Sequence, residues 1–197
     1  MSDSIFHYLN KHGSDKGNKH TYEYWYDATF AGFDREAELD ILESGIEYGG
    51  SLVAWKEYFP NARVTGVDIQ DVRLEENKRD DIEFIQCDIK KYKPDRKFDI
   101  IIEDGNHSNY DALWAAVNLS EHLKDGGILL IEDVQEGYVV PFLMWGKLLG
   151  DYVVSVIDMR RITHSHDNFL IQVHKVVVAR TKEKITDHAR ESTSKVQ

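Results

Sequence analysis

The segment Leu39–Ser51, which reads LDILESGIEYGGS, decides the fold of this chain. It begins with a short apolar run bounded by polar residues, as expected of a strand that is buried on both faces of a parallel sheet. Glycines follow at positions 45, 49 and 50, and the segment Ser51–Tyr58 then has a helical pattern. Glycine permits positive φ and the close approach of a ligand to the backbone. This order of strand, glycine turn and helix predicts the ligand-binding edge of a doubly wound α/β sheet.

The alternation of strands and helices continues along the chain. Helical patterns occupy Tyr110–Leu123 and Pro141–Leu149, whereas no helix is predicted between the last two strands, which should therefore pair as a hairpin. We predict a Rossmann-like, doubly wound α/β sheet of seven strands, mostly parallel, with a C-terminal antiparallel hairpin. The predicted strands are Leu39–Glu43, Arg63–Asp68, Ile82–Cys87, Phe98–Glu103, Gly127–Ile131, Tyr152–Asp158 and Phe169–Val178.

Length and composition predict one globular domain. The 197 residues are 42% hydrophobic and 30% charged, which is ordinary for such a domain. We assign residues 1–180 to the domain, with a lid-like N-terminal segment at about residues 5–35, and residues 181–197 to a polar, disordered tail. The chain has no apolar run long enough to cross a membrane, no secretory signal, and a single cysteine, Cys87. A cytoplasmic location is therefore expected.

The net charge of −11 disfavours nucleic acid as a partner, because phosphate binding requires a basic patch. The longest basic stretch, Lys90–Lys97, is interpreted as a solvated loop. A small molecule is the expected acceptor, and the sequence allows a homo-oligomer.

The glycine spacing does not match the dinucleotide motif G-x-G-x-x-G. Acidic residues stand instead at successive predicted strand ends: Glu43 before the glycines, Asp68 after the second strand and Asp88 after the third. Each acid alone could be a turn residue. Their joint placement favours a cofactor site.

A second group of acids, Asp104, Glu132 and Asp133, follows the fourth and fifth predicted strands. Neighbouring strand ends bring these carboxylates together, where they would repel one another unless a cation neutralised them. Oxygen ligands suit Mg²⁺ or Mn²⁺. His107, shortly after Asp104, is then a candidate base that takes the proton of a hydroxyl group.

The glycine loop resembles the first motif of class I methyltransferases, which use S-adenosylmethionine, and the resemblance covers roughly Leu39 to Val178. It implies that Glu43 faces the methionine part of the cofactor, Asp68 the ribose and Asp88 the adenine. The residues that the resemblance assigns to the cofactor site are Lys16, Tyr22, Glu43, Gly45, Gly49, Ser51, Asp68, Asp88 and Asp104.

The pattern Asp104-Gly-x-His107 with the later pair Glu132-Asp133 is most similar to the sugar O-methyltransferases of macrolide biosynthesis, of the macrocin and mycinamicin type. This resemblance implies that the three acids bind the metal and that His107 is the base. The segment Gly13–Tyr26, with its Gly-Ser-Asp-Lys and His-x-Tyr motifs, resembles a segment that closes the site in that group. The long N-terminal domain of the macrolide enzymes is absent here, which leaves acceptor contacts and assembly open.

Two other segments have no fixed role. The aromatic-rich run Tyr138–Leu149 is predicted to face the core as a helix, with an acceptor pocket or a dimer interface as the alternative. The polar segment 164–168, with His164 and His166, resembles an Asp-Asn segment near the acceptor, although such histidines are usually ordinary surface residues. Arg160 and Arg161 are expected to be exposed.

These features predict an enzyme, a metal-assisted O-methyltransferase that acts on a hydroxyl of a sugar or of a sugar-containing small molecule. Three other functions stay open. A catechol-type phenol O-methyltransferase would use the same metal, although that group carries a lysine base in place of His107. A non-catalytic module that binds S-adenosylmethionine would not need converging acids. Hydroxylase-like relatives share the glycine loop and the acids but carry out another reaction.

Overall fold

The computed structural model describes residues 4–19, 22–148, 150–160 and 169–177. The strands of the described chain form one seven-stranded sheet. They are β1 (Asp40–Ser44), β2 (Arg63–Asp68), β3 (Ile82–Gln86), β4 (Phe98–Glu103), β5 (Leu123–Val134), β6 (Tyr152–Asp158) and β7 (Phe169–Lys175). The helices are α1 (Ile5–Lys11), α2 (Asp15–Asn18), α3 (Glu23–Phe30), α4 (Gly50–Tyr58), α5 (Asn109–Ser120) and α6 (Glu136–Leu148), with a 3₁₀ turn at Glu75–Asn77.

The sheet has the order β3-β2-β1-β4-β5-β7-β6. The first five strands of the chain pair in parallel, whereas β7 runs antiparallel to both β5 and β6. The predicted doubly wound sheet and its antiparallel hairpin are therefore confirmed. The strand order reverses between β1 and β4, and this is where a doubly wound sheet opens a crevice for a ligand.

The sheet separates two apolar cores. The core on one face contains Trp55 of α4 and Tyr26 and Phe30 of α3, which are almost completely buried. The core on the other face contains Leu119 of α5 and Phe142 of α6. Because both faces of the central strands are covered, these strands are continuous apolar runs. The two cores hold the strand ends in fixed positions.

The predicted helix Tyr110–Leu123 is too long. The helix ends at Ser120, and Leu123 instead begins β5, where it pairs with Phe98. Gly126 and Gly127, which follow the predicted helix, lie within this strand at an irregularity in which Gly126 has a φ of +83°. The apolar spacing of the helix continues by chance into the strand, so the pattern alone hides the boundary.

The prediction of a core-facing helix over Tyr138–Leu149 is only partly correct. Helix α6 begins earlier, at Glu136, and contains Pro141. Only Phe142 and Gly146 of this helix are buried, and much of its apolar surface is exposed.

Strand β7 ends at Lys175, and the predicted strand end at Val178 lies outside the described residues, as does the predicted tail 181–197. The boundaries of the single domain therefore stay a prediction. Among the described helices, none has the length and apolar character needed to cross a membrane.

Candidate functional site

The glycine loop between β1 and α4 needs two of its glycines for backbone reasons. Gly45 has a φ of +76° and Gly49 a φ of +79°, in the left-handed region that favours glycine. A Cβ atom on Gly45 would overlap the carbonyl oxygen of Asp104. The loop therefore packs directly against the end of β4, and this contact joins the predicted cofactor loop to the predicted metal site.

A cavity of about 560 Å³ opens beyond the carboxyl ends of the parallel strands. Its volume lies within the range of pockets that enclose small-molecule ligands. Seven of the residues predicted for the site line it: Gly45, Asp68, Asp88, Asp104, His107, Glu132 and Asp133. The structure thus brings together the three strand ends of the predicted cofactor site and the acids of the predicted metal site.

Asp68 and Asp88 also stabilise their own turns. Asp68 accepts hydrogen bonds from the backbone N–H groups of Ile46 and Gln70, at 2.9 and 3.0 Å. Asp88 accepts one from the N–H of Lys90 at 3.0 Å. Both readings of these acids, as turn residues and as cavity residues, therefore fit the geometry, and their cofactor contacts stay predictions.

Three side chains at the cavity form a group with the spacing of a metal site. Asp104, His107 and Asp133 each offer a ligand atom, and these atoms lie within 4.8 Å of one another. The Nε2 atom of His107 is 3.4 Å from Oδ1 of Asp104 and 3.4 Å from Oδ2 of Asp133. The two carboxylates supply the oxygen ligands that suit Mg²⁺ or Mn²⁺, and the imidazole stands beside them as a further ligand or as a base. The residues present therefore fit a divalent cation.

Glu132 is held differently from the other two acids. Its Oε2 accepts from the Nζ of Lys16 at 2.9 Å, and its Oε1 accepts from the hydroxyl of Tyr26. Burial raises the pKa of Glu132, and the lysine opposes that rise. Glu132 lines the cavity but lies outside the group of Asp104, His107 and Asp133. Its role as a metal ligand stays a prediction.

Lys16 does not line the cavity but lies buried beneath it. Besides Glu132, its Nζ contacts Asp104 and lies 3.4 Å from Oε1 of Glu43. Burial alone would lower the pKa of Lys16, but the surrounding carboxylates more than offset this and raise the pKa well above its usual value. A charged ammonium group therefore sits among acids from three neighbouring strands.

Tyr22, another predicted cofactor residue, contacts Asp133. Its hydroxyl donates to Oδ1 of Asp133 at 2.8 Å and accepts from the Asp133 N–H at 3.2 Å. Burial raises the pKa of Tyr22, so it is a neutral donor. Asp133 has a φ of +52°, which is an unfavourable backbone conformation for a non-glycine residue. The two hydrogen bonds to Tyr22 hold Asp133 in this conformation.

Glu43 and Ser51 are also buried rather than exposed to the cavity. Oε2 of Glu43 accepts from the indole N–H of Trp55 at 2.7 Å, and the Ser51 hydroxyl bonds to the same carboxyl group. Burial raises the pKa of Glu43, against the effect of Lys16. In this structure Glu43 is part of the support of the site, and its contact with the cofactor stays a prediction.

Four acids that the sequence analysis did not assign to the site also line the cavity: Asp15, Glu47, Glu103 and Asp111. Glu103 is buried beside Asp104, accepts from the N–H of Gly105, and has its pKa raised by burial to about 7. Glu47 lies in the glycine loop with a φ of +44°. The non-glycine residues with positive φ in the described chain are Glu47, His107 and Asp133, and all three line this cavity. Strain of this kind often marks functional sites, but it cannot be read from the sequence.

Several predicted residues lie outside the described part of the chain. They are His20 and Thr21 of the N-terminal motif, Arg161, and the segment 164–168 with its two histidines. Arg160 is described, and it pairs with Asp158 and Glu136 at the surface.

The comparisons with known proteins agree with this architecture. Residues 41–127 match the family model described as a methyltransferase domain. The mycinamicin VI 2''-O-methyltransferase of Micromonospora griseorubida is 32% identical over 137 residues, which are 62% of this chain and 33% of that protein. The 8-demethyl-8-alpha-L-rhamnosyl tetracenomycin-C 2'-O-methyltransferase of Streptomyces olivaceus is 34% identical over 156 residues, 72% of this chain and 39% of that protein. The chain therefore spans between about a third and two fifths of the length of these relatives.

A solved structure has the same fold. The MycE methyltransferase of the mycinamycin biosynthetic pathway, in complex with Mg and SAH, superimposes with a TM-score of 0.71 and 22% identity. The match covers 92% of this chain and 57% of that one. Fold, cavity and sequence similarity lead to one conclusion: the chain contains a class I methyltransferase domain that is similar to the sugar O-methyltransferases of the macrocin and mycinamicin type.

Proposed function

We propose that the chain transfers a methyl group from S-adenosylmethionine to a hydroxyl of a sugar or of a sugar-containing small molecule, with the help of Mg²⁺ or Mn²⁺. The observation that carries this proposal is the group of Asp104, His107 and Asp133 at the rim of the cavity that the glycine loop borders. The names of the relatives, which are O-methyltransferases of sugar-bearing compounds, support the acceptor class.

Asp104 and Asp133 would hold the cation, and Glu132 is the third candidate ligand. Bound there, the cation supplies Lewis acidity, which lowers the pKa of an alcohol. Asp133 is 4% exposed and fixed by Tyr22, so its carboxylate is already oriented. Preorganised ligands reduce the cost of binding both the ion and a diol.

His107 would accept the proton of the hydroxyl. Its side chain is 49% exposed at the cavity mouth, where an acceptor can reach it. The oxygen forms a bond to the methyl carbon while the bond from that carbon to the sulfonium sulfur breaks. The products are a methyl ether and S-adenosylhomocysteine, and the proton goes to the imidazole. The carboxylates 3.4 Å from Nε2 stabilise the imidazolium that results.

Calorimetric titration of S-adenosylmethionine into EDTA-treated protein tests the proposal, followed by titration of a diol panel with and without millimolar Mg²⁺. Methyl α-L-rhamnoside and catechol represent the sugar and phenol acceptor classes. We expect cofactor binding, and diol binding that requires Mg²⁺ and is lost in Asp104→Ala. The absence of cofactor binding would overturn the methyltransferase assignment. If the cofactor binds but Mg²⁺ has no effect on diol binding, the metal-assisted part of the proposal is wrong. A clear preference for catechol would show that the proposed sugar acceptor is wrong.

A further inference from the structure

Helix α6 has an exposed apolar stripe that does not pack against the rest of the described chain. The helix reads EGYVVPFLMWGKL and has only two charged residues, Glu136 and Lys147. A helix that is apolar on all sides is normally buried on all sides. Here Val140 is 60% exposed, Met144 63% and Leu148 84%.

The exposed side chains lie on one face. Val140, Leu143, Met144 and Leu148 have the spacing of a single helical stripe, and Leu143 is exposed as well. The opposite face is fixed to the sheet, because Phe142 is fully buried and a Cβ atom on Gly146 would overlap Val154 of β6. The helix therefore cannot rotate to bury the stripe without losing its core contacts.

The two charged residues identify the occupant. Glu136 and Lys147 belong to the same face as the stripe, at its opposite ends. When two copies of such a helix pack antiparallel about a two-fold axis at the level of residues 141–142, Glu136 of each copy lies next to Lys147 of the other. Parallel packing would place like charges together. The face is thus complementary to itself in one orientation, as a symmetric dimer requires.

We propose that the α6 stripe, defined as Val140, Leu143, Met144 and Leu148, is the interface between two copies of this chain. A stripe of four side chains per copy makes a small interface, and small interfaces are typical of weak, transient complexes. The dimer is therefore weak and depends on concentration. Glu136 already pairs with Arg160 at 3.0 Å within one copy, but its side chain is 72% exposed, so water screens the repulsion between Arg160 and a second cation at this carboxylate.

Sedimentation velocity between about 1 and 200 µM tests the interface. The wild-type protein should shift from 22.8 kDa toward twice that mass as its concentration rises. Met144→Glu and Leu148→Glu should each raise the dimer Kd at least about tenfold, since each places a charge in the contact. Val72→Glu is the matched control. Val72 is 46% exposed and lies in the loop between β2 and β3, at the other end of the sheet.

Variants that exchange the charges at positions 136 and 147 distinguish the proposed antiparallel orientation from non-specific hydrophobic association. Lys147→Glu should weaken the dimer, and the double variant Glu136→Lys, Lys147→Glu should restore it. Far-UV circular dichroism confirms that each variant is folded. A monomer at every concentration overturns the proposal, as does a dimer that all the α6 variants leave unchanged or that Val72→Glu disrupts equally.

Discussion

The Nζ atom of Lys16 lies 2.9 Å from Oε2 of Glu132, in the interior of the protein and directly beneath the candidate metal site. The same ammonium group contacts Asp104, which is also one of the three side chains with metal-site spacing. The lysine and a bound divalent cation would therefore neutralise the same carboxylates. Their binding should be linked, because each one is a counterion that reduces the need for the other.

This linkage predicts the effect of Lys16→Met. Without the ammonium group, the buried acids lose their counterion, so the metal-free protein should lose about 3–5 kcal/mol of unfolding free energy. The affinity for Mn²⁺ should rise at least about tenfold, because a nearby positive charge has been removed. Thermal denaturation in EDTA and calorimetric titration of Mn²⁺ measure the two effects.

Lys19→Met is the matched control. Lys19 lines the same cavity, but its side chain is 69% exposed, so water already screens its charge. Its replacement should change Mn²⁺ affinity only slightly. Equal or weaker Mn²⁺ binding by Lys16→Met would show that Lys16 organises the metal ligands instead of competing with the ion.

A second prediction concerns the hydroxyl of Tyr22, which holds Asp133. In Tyr22→Phe, Asp133 loses both hydrogen bonds that support its left-handed conformation. Mn²⁺ should therefore bind about 5- to 30-fold more weakly, which corresponds to a loss of roughly 1–2 kcal/mol. Calorimetry of Mn²⁺ measures this effect. Affinity for S-adenosylhomocysteine should stay the same, because Tyr22 does not line the cavity.

Tyr24→Phe provides the comparison for Tyr22, since Tyr24 lies two residues further on, in the first turn of α3, and is 68% exposed. It should bind both ligands like the wild type. If Tyr22→Phe instead lowers the affinity for S-adenosylhomocysteine and leaves the affinity for Mn²⁺ unchanged, Tyr22 contacts the cofactor, as the family resemblance implies.

The third prediction concerns the turn at Gly45. Gly45→Ala introduces a Cβ atom at positive φ that overlaps the Asp104 carbonyl, so we expect a loss of at least about 2 kcal/mol in unfolding free energy and impaired cofactor binding. Gly137→Ala is the control, because a Cβ atom there meets nothing within 4 Å. Urea denaturation of both variants gives the comparison. Equal stability of Gly45→Ala and wild type would mean that the loop moves freely away from β4.

The strand ends that form the site were predictable, because buried strands have a simple apolar pattern and parallel strands end at one edge. Asp68, Asp104 and Asp133 were located in this way, and the structure places all three at one cavity. The counterion position of Lys16 was not predictable. It depends on how α2 packs beneath strands that are distant in sequence, and no local pattern records such a contact.

The same limit explains the errors at two helices. A helical period persists from α5 into the start of β5, so Leu123 was assigned to the helix although it pairs with Phe98. For α6, the composition is apolar all round, and periodicity cannot tell which face packs on the sheet. The position of Gly146 against Val154 decides that question in three dimensions.

The fourth prediction separates two roles of His107, which the geometry allows to be either a proton acceptor or a metal ligand. His107 has a φ of +55°, and asparagine tolerates this conformation better than most residues, so His107→Asn should keep the backbone in place. If His107 is the base, Mn²⁺ affinity changes less than about threefold, whereas methyl transfer at saturating Mg²⁺ falls about 10²- to 10⁴-fold. Calorimetric titration measures the affinity for Mn²⁺. The rate of methyl transfer is measured with labelled S-adenosylmethionine and the best acceptor of the diol panel. His122→Asn is the control, because His122 does not line the cavity. A large loss of Mn²⁺ affinity in His107→Asn would instead make the imidazole a ligand, because only a ligand contributes directly to holding the ion, and the proton would then leave by another route.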